Sequence, residues 1–177
     1  MPKLNLARAG ASGCFLADNV YVFCGSIHGK VENSIEKLNI LVNDETSSWL
    51  LIQTNEDCLR RFGHAIAPLN SNEIIIFGGV DGEGKIVDDD NAIIFDTGTE
   101  TCKIVPNSGS SAFSTEYNQS LYISPNKIVA LALVKGSFQP ILVEYSHDSG
   151  RFSQIQELDW PSTLAQHNIT QGAKDYT

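Results

Sequence analysis

The chain has 177 residues, enough for one ordinary globular domain, and 42% of them are hydrophobic, the make-up of a sequence that folds around a core. Twelve basic residues stand against 21 acidic ones, a net charge of −9; that sign repels polyphosphate and anionic lipid, disfavours nucleic-acid and membrane-surface binding, and would welcome a basic protein partner. The opening Met1-Pro2-Lys3-Leu4-Asn5-Leu6-Ala7-Arg8 lacks the long apolar run of a signal peptide, and no later run reaches the length of a membrane span, so the expected compartment is the cytoplasm. Cys14, Cys24, Cys58 and Cys102 form no C-x-x-C pair, and they read as buried thiols rather than as a zinc knuckle or a disulfide framework. Asn118-Gln119-Ser120 and Asn168-Ile169-Thr170 match a glycosylation sequon, which carries no weight without secretion.

In chain order, Gly10–Leu16 reads as a weak strand of small residues suited to a crowded centre, and the turn Ala17-Asp18-Asn19 leads into the apolar run Val20-Tyr21-Val22-Phe23-Cys24-Gly25. A polar turn then separates Val42 from the bulky Trp49, after which Leu50-Leu51-Ile52 is apolar again. The pattern starts over at Gly63–Leu69, entered through Arg60-Arg61. It continues through Asn70–Glu73 into Ile74-Ile75-Ile76-Phe77-Gly78-Gly79, then through Phe95, a self-capping polar turn, Cys102 and Lys103-Ile104-Val105. A third round runs from Ser124–Lys127 into Ile128–Leu133, then from Tyr145 across a turn to Phe152 and Ser153-Gln154-Ile155. The three apolar runs begin at positions 20, 74 and 128, an interval of 54 residues each time. Short, continuous and rich in Ile, Val and Phe, they are expected to be strands buried on both faces. The closing glycines are expected where the backbone packs closely or takes a positive φ; Cys24 is a modest departure, and Ala132-Leu133 lacks both glycines.

Four strands per unit, repeated at a period near 50, predict an all-β propeller of four-stranded antiparallel blades, roughly 8–57, 58–108 and 109–157, with 158–177 as a C-terminal tail. The apolar strand with Gly78-Gly79, the pair Phe95-Asp96, the polar turn and the bulky residue after it resemble the kelch repeat; Cys102 stands where kelch has Trp. In the first unit Asn33–Asn39 also resembles the kelch segment before its Tyr-Asp, with about four extra residues before Trp49. Met1-Pro2 and Arg8 resemble the linker between kelch blades. Gly25, Trp49, Gly78, Gly79, Phe95, Asp96, Cys102, Tyr145 and Phe152 are the residues that carry the repeat. Propellers close with about four to eight blades, so three imply a C-terminal or partial propeller, or association that completes the ring.

The acidic loop from Asp81 to Asn91 is the most conspicuous candidate site, with Asp81, Glu83, Asp88, Asp89 and Asp90 able to meet a basic partner or weakly hold a hard cation. An EF-hand reading fails because Ile86 occupies the position that needs glycine. Arg60 and Arg61, like Arg8, precede inner strands and would project toward a central channel, either to bind a carboxylate or to satisfy carbonyls between blades. His28, His64, His147 and His167 show no metal-ligand spacing, and His64 is expected to make a structural hydrogen bond. No G-x-S-x-G or P-loop occurs, and Trp49 and Trp160 are too isolated for a base-stacking platform. The kelch resemblance implies a non-catalytic protein-binding module or scaffold without a cofactor. The alternatives are a kelch-fold enzyme of the metal-oxidase or sugar-epimerase type, and a self-assembling piece of a larger complex.

Overall fold

The computed structural model describes residues 2–157, apart from 42–46, 55–58, 86, 88–90, 107, 110–112, 115–119, 125–126 and 135–139. The described chain is all-β, without an α-helix, and is arranged as small antiparallel sheets that do not close on themselves. The first sheet has the order β1-β2-β5-β6, from β1 (Ser12–Leu16), β2 (Asn19–Phe23), β5 (Ile35–Asn39) and β6 (Leu50–Ile52); a two-stranded hairpin, β3 (Ser26–Ile27) and β4 (Lys30–Val31), fills the β2–β5 connection. The second sheet runs β7 (Ala65–Pro68), β8 (Glu73–Phe77), β9 (Ala92–Asp96) and β10 (Thr101–Val105) in sequence order. In the third, β13 (Lys127–Val134), β14 (Pro140–Ser146) and β15 (Arg151–Glu157) follow one another, and both β11 (Phe113–Ser114) and β12 (Ser120–Ser124) pair with β13.

The 54-residue interval survives as register. Val20 lies opposite Leu38, Ile74 opposite Phe95, and Ile128 opposite Tyr145. One pleat pair further on, Val22 meets Glu36, Ile76 meets Ile93, and Ala130 meets Val143. Alternate residues of a strand face opposite sides of its sheet, so each sheet has a front, toward the sheet before it in the chain, and a back, toward the one after.

Between the first and second sheets, Tyr21, Phe23, Ile35 and Ile52 pack from the back of one against Ile74, Ile76, Ile93 and Phe95 on the front of the other. Phe23 and Phe95 meet edge to face at 5.4 Å. Between the second and third, Ile75, Phe77, Ala92 and Ile94 pack against Ile128, Ala130, Val143, Tyr145 and Phe152, with Phe77 and Phe152 rings 4.6 Å apart. The second sheet is therefore buried on both faces, which is why β8 and β9 read as continuous apolar runs. Each buried Ile, Val or Phe among them contributes about 1.5–3 kcal/mol by leaving water.

Three expectations are corrected. β2 is not buried on both faces: Val20 and Val22 are only half-buried, because among the described residues no sheet lies on the front of the first one. The third apolar run does not stop where the first two do. Cys24-Gly25 and Gly78-Gly79 end β2 and β8 with φ of 54° and 94°, and of 65° and 89°. A Cβ on Gly25 or Gly79 would come within 2.8 Å of the carbonyl of Ala9 or Phe62. Ala132-Leu133 offers no such bend, and β13 continues to Val134. Val42 lies outside the described residues; Trp49 precedes Leu50, the residue opposite Lys37, so its strand neighbour is Ile35–Asn39. That makes Leu38-Asn39 the positional match of Phe95-Asp96 and Tyr145-Ser146, with Phe95 opposite Cys102 and Tyr145 opposite Phe152. His64 is buried, yet neither ring nitrogen has a hydrogen-bond partner among the described residues.

Candidate functional site

The β2–β5 and β8–β9 connections leave their sheets through the same bonds. Glu32 donates from its amide to the Gly25 carbonyl at 2.9 Å, as Val87 does to Gly79 at 2.8 Å. Because the sheets stack in register, the two connections emerge side by side. They enclose a cleft of about 320 Å3 lined by the run Gly29–Asn33, by Arg60 of the link between the sheets, and by Gly82. Asn33 fixes its floor: Nδ2 donates to the Thr54 carbonyl at 2.9 Å, and Thr54 Oγ1 donates to the Asn33 carbonyl at 2.8 Å. Lys30 and Arg60 bring positive charge to this cleft and Glu32 negative charge, so it offers polar groups of both signs on a framework of backbone bonds.

Adjacent Arg60 and Arg61 part company. Arg60 is exposed and lines the cleft, whereas Arg61 is 2% exposed and its Nη1 donates to the Gly78 carbonyl at 3.0 Å. Arg8 repeats that bond on the first sheet, donating from Nη1 to the Cys24 carbonyl at 2.8 Å and to Ser34 at 2.9 Å. Arg8 also makes an ion pair with Glu36 at 2.9 Å, both side chains fully buried. Glu36 further accepts from the amides of Asn5 and Leu6 at 2.6 and 3.1 Å, and Asn5 Nδ2 donates to the Trp49 carbonyl at 2.7 Å. The Trp49 indole in turn donates to the Pro2 carbonyl at 3.1 Å. Residues 2–9 thus form an arm tied across the front of the first sheet.

In the acidic loop, the Asp81 carboxylate is occupied by its own turn, Oδ1 accepting from the amides of Glu83 and Lys85 at 2.8 and 2.9 Å. Those bonds hold its pKa below the ordinary carboxylate value. Glu83 pairs with Lys85 at 2.8 Å, both largely exposed, and Asp88, Asp89 and Asp90 lie outside the described residues. Asp96 caps the β9–β10 turn in the same manner, accepting from Gly98 and Thr99 at 2.8 Å, and its pKa is also lowered by them. No three His, Cys, Asp or Glu side chains among the described residues converge as a metal site. Cys14, Cys24 and Cys102 carry no disulfide; burial pushes the Cys14 thiol up to about 12, far from a nucleophile.

The sequence alone singled out Arg60 and the acidic loop but not Lys30, Glu32 or Asn33, whose connection shares no motif with the second. It also missed Glu36. The signal for that residue is its register: it occupies the position of Ile93 and Val143, both apolar and buried.

No family model matches the chain. Over 83 aligned residues it is 36% identical to the negative regulator of sporulation PMD1 of Saccharomyces cerevisiae, a similarity that takes in 40% of this chain and 4% of that protein's length. No helix among the described residues is long and apolar enough to cross a membrane.

Proposed function

We propose that the chain is a non-catalytic protein-interaction module built as a segment of a kelch-type propeller, acting in the cytoplasm. The observation that carries this reading is the cleft where two sheet connections meet beside Arg60. Rigid stacked sheets hold it, and it is lined by loops free to vary without disturbing a core. Three antiparallel sheets that share a register and stack front to back support the propeller reading. The partner is a protein segment that places basic and acidic side chains against Glu32, Arg60 and Lys30, drawn by the chain's net charge of −9 toward a basic surface.

The test is affinity capture from a cell extract with the intact chain and with a Lys30→Ala/Glu32→Ala/Arg60→Ala variant whose melting temperature is unchanged. Loss of the captured proteins is expected. An identical set of proteins on both would remove the cleft from the account.

A further inference from the structure

The cleft has two lips. One is the β2–β5 connection, which carries Lys30, Glu32 and Asn33; the other is the β8–β9 connection, which carries Gly82. Each lip is closed at its root by a backbone bond, from Glu32 to the Gly25 carbonyl and from Val87 to the Gly79 carbonyl. Arg61 joins one root to the other. Its carbonyl accepts from the Gly25 amide at 3.0 Å, and its Nη1 donates to the Gly78 carbonyl at 3.0 Å. A continuous line of bonds thus runs from Glu32 through Gly25, Arg61 and Gly78-Gly79 to Val87, from lip to lip. The next residue, Phe62, exchanges two bonds with Val80 at 3.0 and 2.9 Å, which keeps the link itself against the second lip.

Burial gives the Arg61 bonds their weight. Arg61 is 2% exposed, and Gly25, Gly78 and Gly79 are buried with it. A guanidinium keeps its charge at any pH at which the chain folds, and its bonds are about twice as strong as those between neutral groups. Arg8 gives the contrast. The carbonyls it reaches, those of Cys24 and Ser34 at 2.8 and 2.9 Å, both lie at the root of the first lip. Arg8 therefore braces one lip, whereas Arg61 bonds to both. Arg60, its exposed neighbour, meets whatever enters the cleft.

We infer that Arg61 is the positioning residue of the cleft: it fixes the separation of the two lips, so that they shift together and the cleft meets its partner preformed. The consequence for binding rests on the cleft being the partner site; the coupling of the lips does not.

Amide hydrogen exchange of the full chain, followed by NMR, reads that coupling. In Arg61→Met, which keeps the length of the side chain and none of its donors, the amides of Gly25, Glu32 and Val87 are expected to exchange about tenfold faster relative to the strand amides of Ile75 and Ile94. A purely structural role would speed all of them by one factor. If that variant does not fold, Arg61→Gln replaces it, with the same ordering expected. Lip amides that gain no more than Ile75 and Ile94, or a gain confined to one lip, would overturn the inference. The same variant is then taken through the capture comparison, where loss of the proteins held by the intact chain is expected. Their retention by a variant with loosened lips, when Lys30→Ala/Glu32→Ala/Arg60→Ala has lost them, would also overturn the positioning role. Retention by that triple variant counts instead against the cleft as the partner site, and the exchange result alone then decides Arg61.

Discussion

The second and first sheets share a register and differ in what lies against their fronts. Behind Ile74, Ile76, Ile93 and Phe95 stands another sheet; in front of Val20, Val22, Glu36 and Leu38 stands an arm of eight residues, 2–9. The same backbone therefore carries two solutions to one problem. Where a full sheet covers it, the surface is apolar throughout and packing alone holds it. Where only an extended segment covers it, one apolar position is replaced by a carboxylate that binds the segment through Arg8 and two backbone amides. An arm has too little apolar surface to stay in place by burial, and charge-assisted hydrogen bonds supply what it lacks.

The comparison breaks most readily at the ion pair. Arg8→Ala or Glu36→Ala leaves its partner charged and buried, and each is expected to lower stability by about 3–5 kcal/mol in urea titration. Next come two residues at one structural position. Ile74→Ala, inside the core between sheets, should cost about 2–5 kcal/mol, whereas Val20→Ala, half-covered, should cost about 1 kcal/mol or less; equal losses would mean that the two fronts are equally sealed. Gly25→Ala and Gly79→Ala should cost similar amounts, on the order of 1–3 kcal/mol each, since both combine a positive φ with a carbonyl in the path of the Cβ. A large gap between those two would separate the bends that the register makes equivalent.

A finer probe is pH. Burial, and after it the charge of Arg61, lowers the His64 pKa to about 3 from an ordinary 6.5. The unfolded chain therefore binds the proton more readily between those values, so stability is fully present above about pH 6.5 and is lost as pH falls toward 3. His64→Leu should flatten that slope in melts taken between pH 6.5 and 4. Below pH 4, Asp81 and Asp96 add their own loss, because their carboxylates are held ionised by backbone amides in the native turns.

Much of this arrangement was legible in the sequence wherever one strand sufficed to show it. The runs at 20, 74 and 128 are strands in matching register, and the turn after Phe95 is capped by Asp96. What depended on the connections between strands was not legible. Phe23 is followed by Ile35 across 11 intervening residues, and Phe77 by Ala92 across 14. The 54-residue interval therefore slips to 57 between Glu36 and Ile93, and Glu36 passes as an ordinary surface glutamate. The cleft was half-legible: Arg60 drew notice as a cation before a strand, but its separation from Arg61 depends on which side of the link each one leaves, and only packing decides that.

Glu36 anchors the arm, and a double-mutant cycle tests this most directly. Stability is measured by urea titration for the intact chain, Arg8→Leu, Glu36→Leu and the pair together. The expected result is two strongly destabilised single variants and a double variant that recovers about 2 kcal/mol or more of their summed loss, since no buried charge is then left unpaired. Single losses below about 0.5 kcal/mol, or losses that simply add in the double variant, would contradict it.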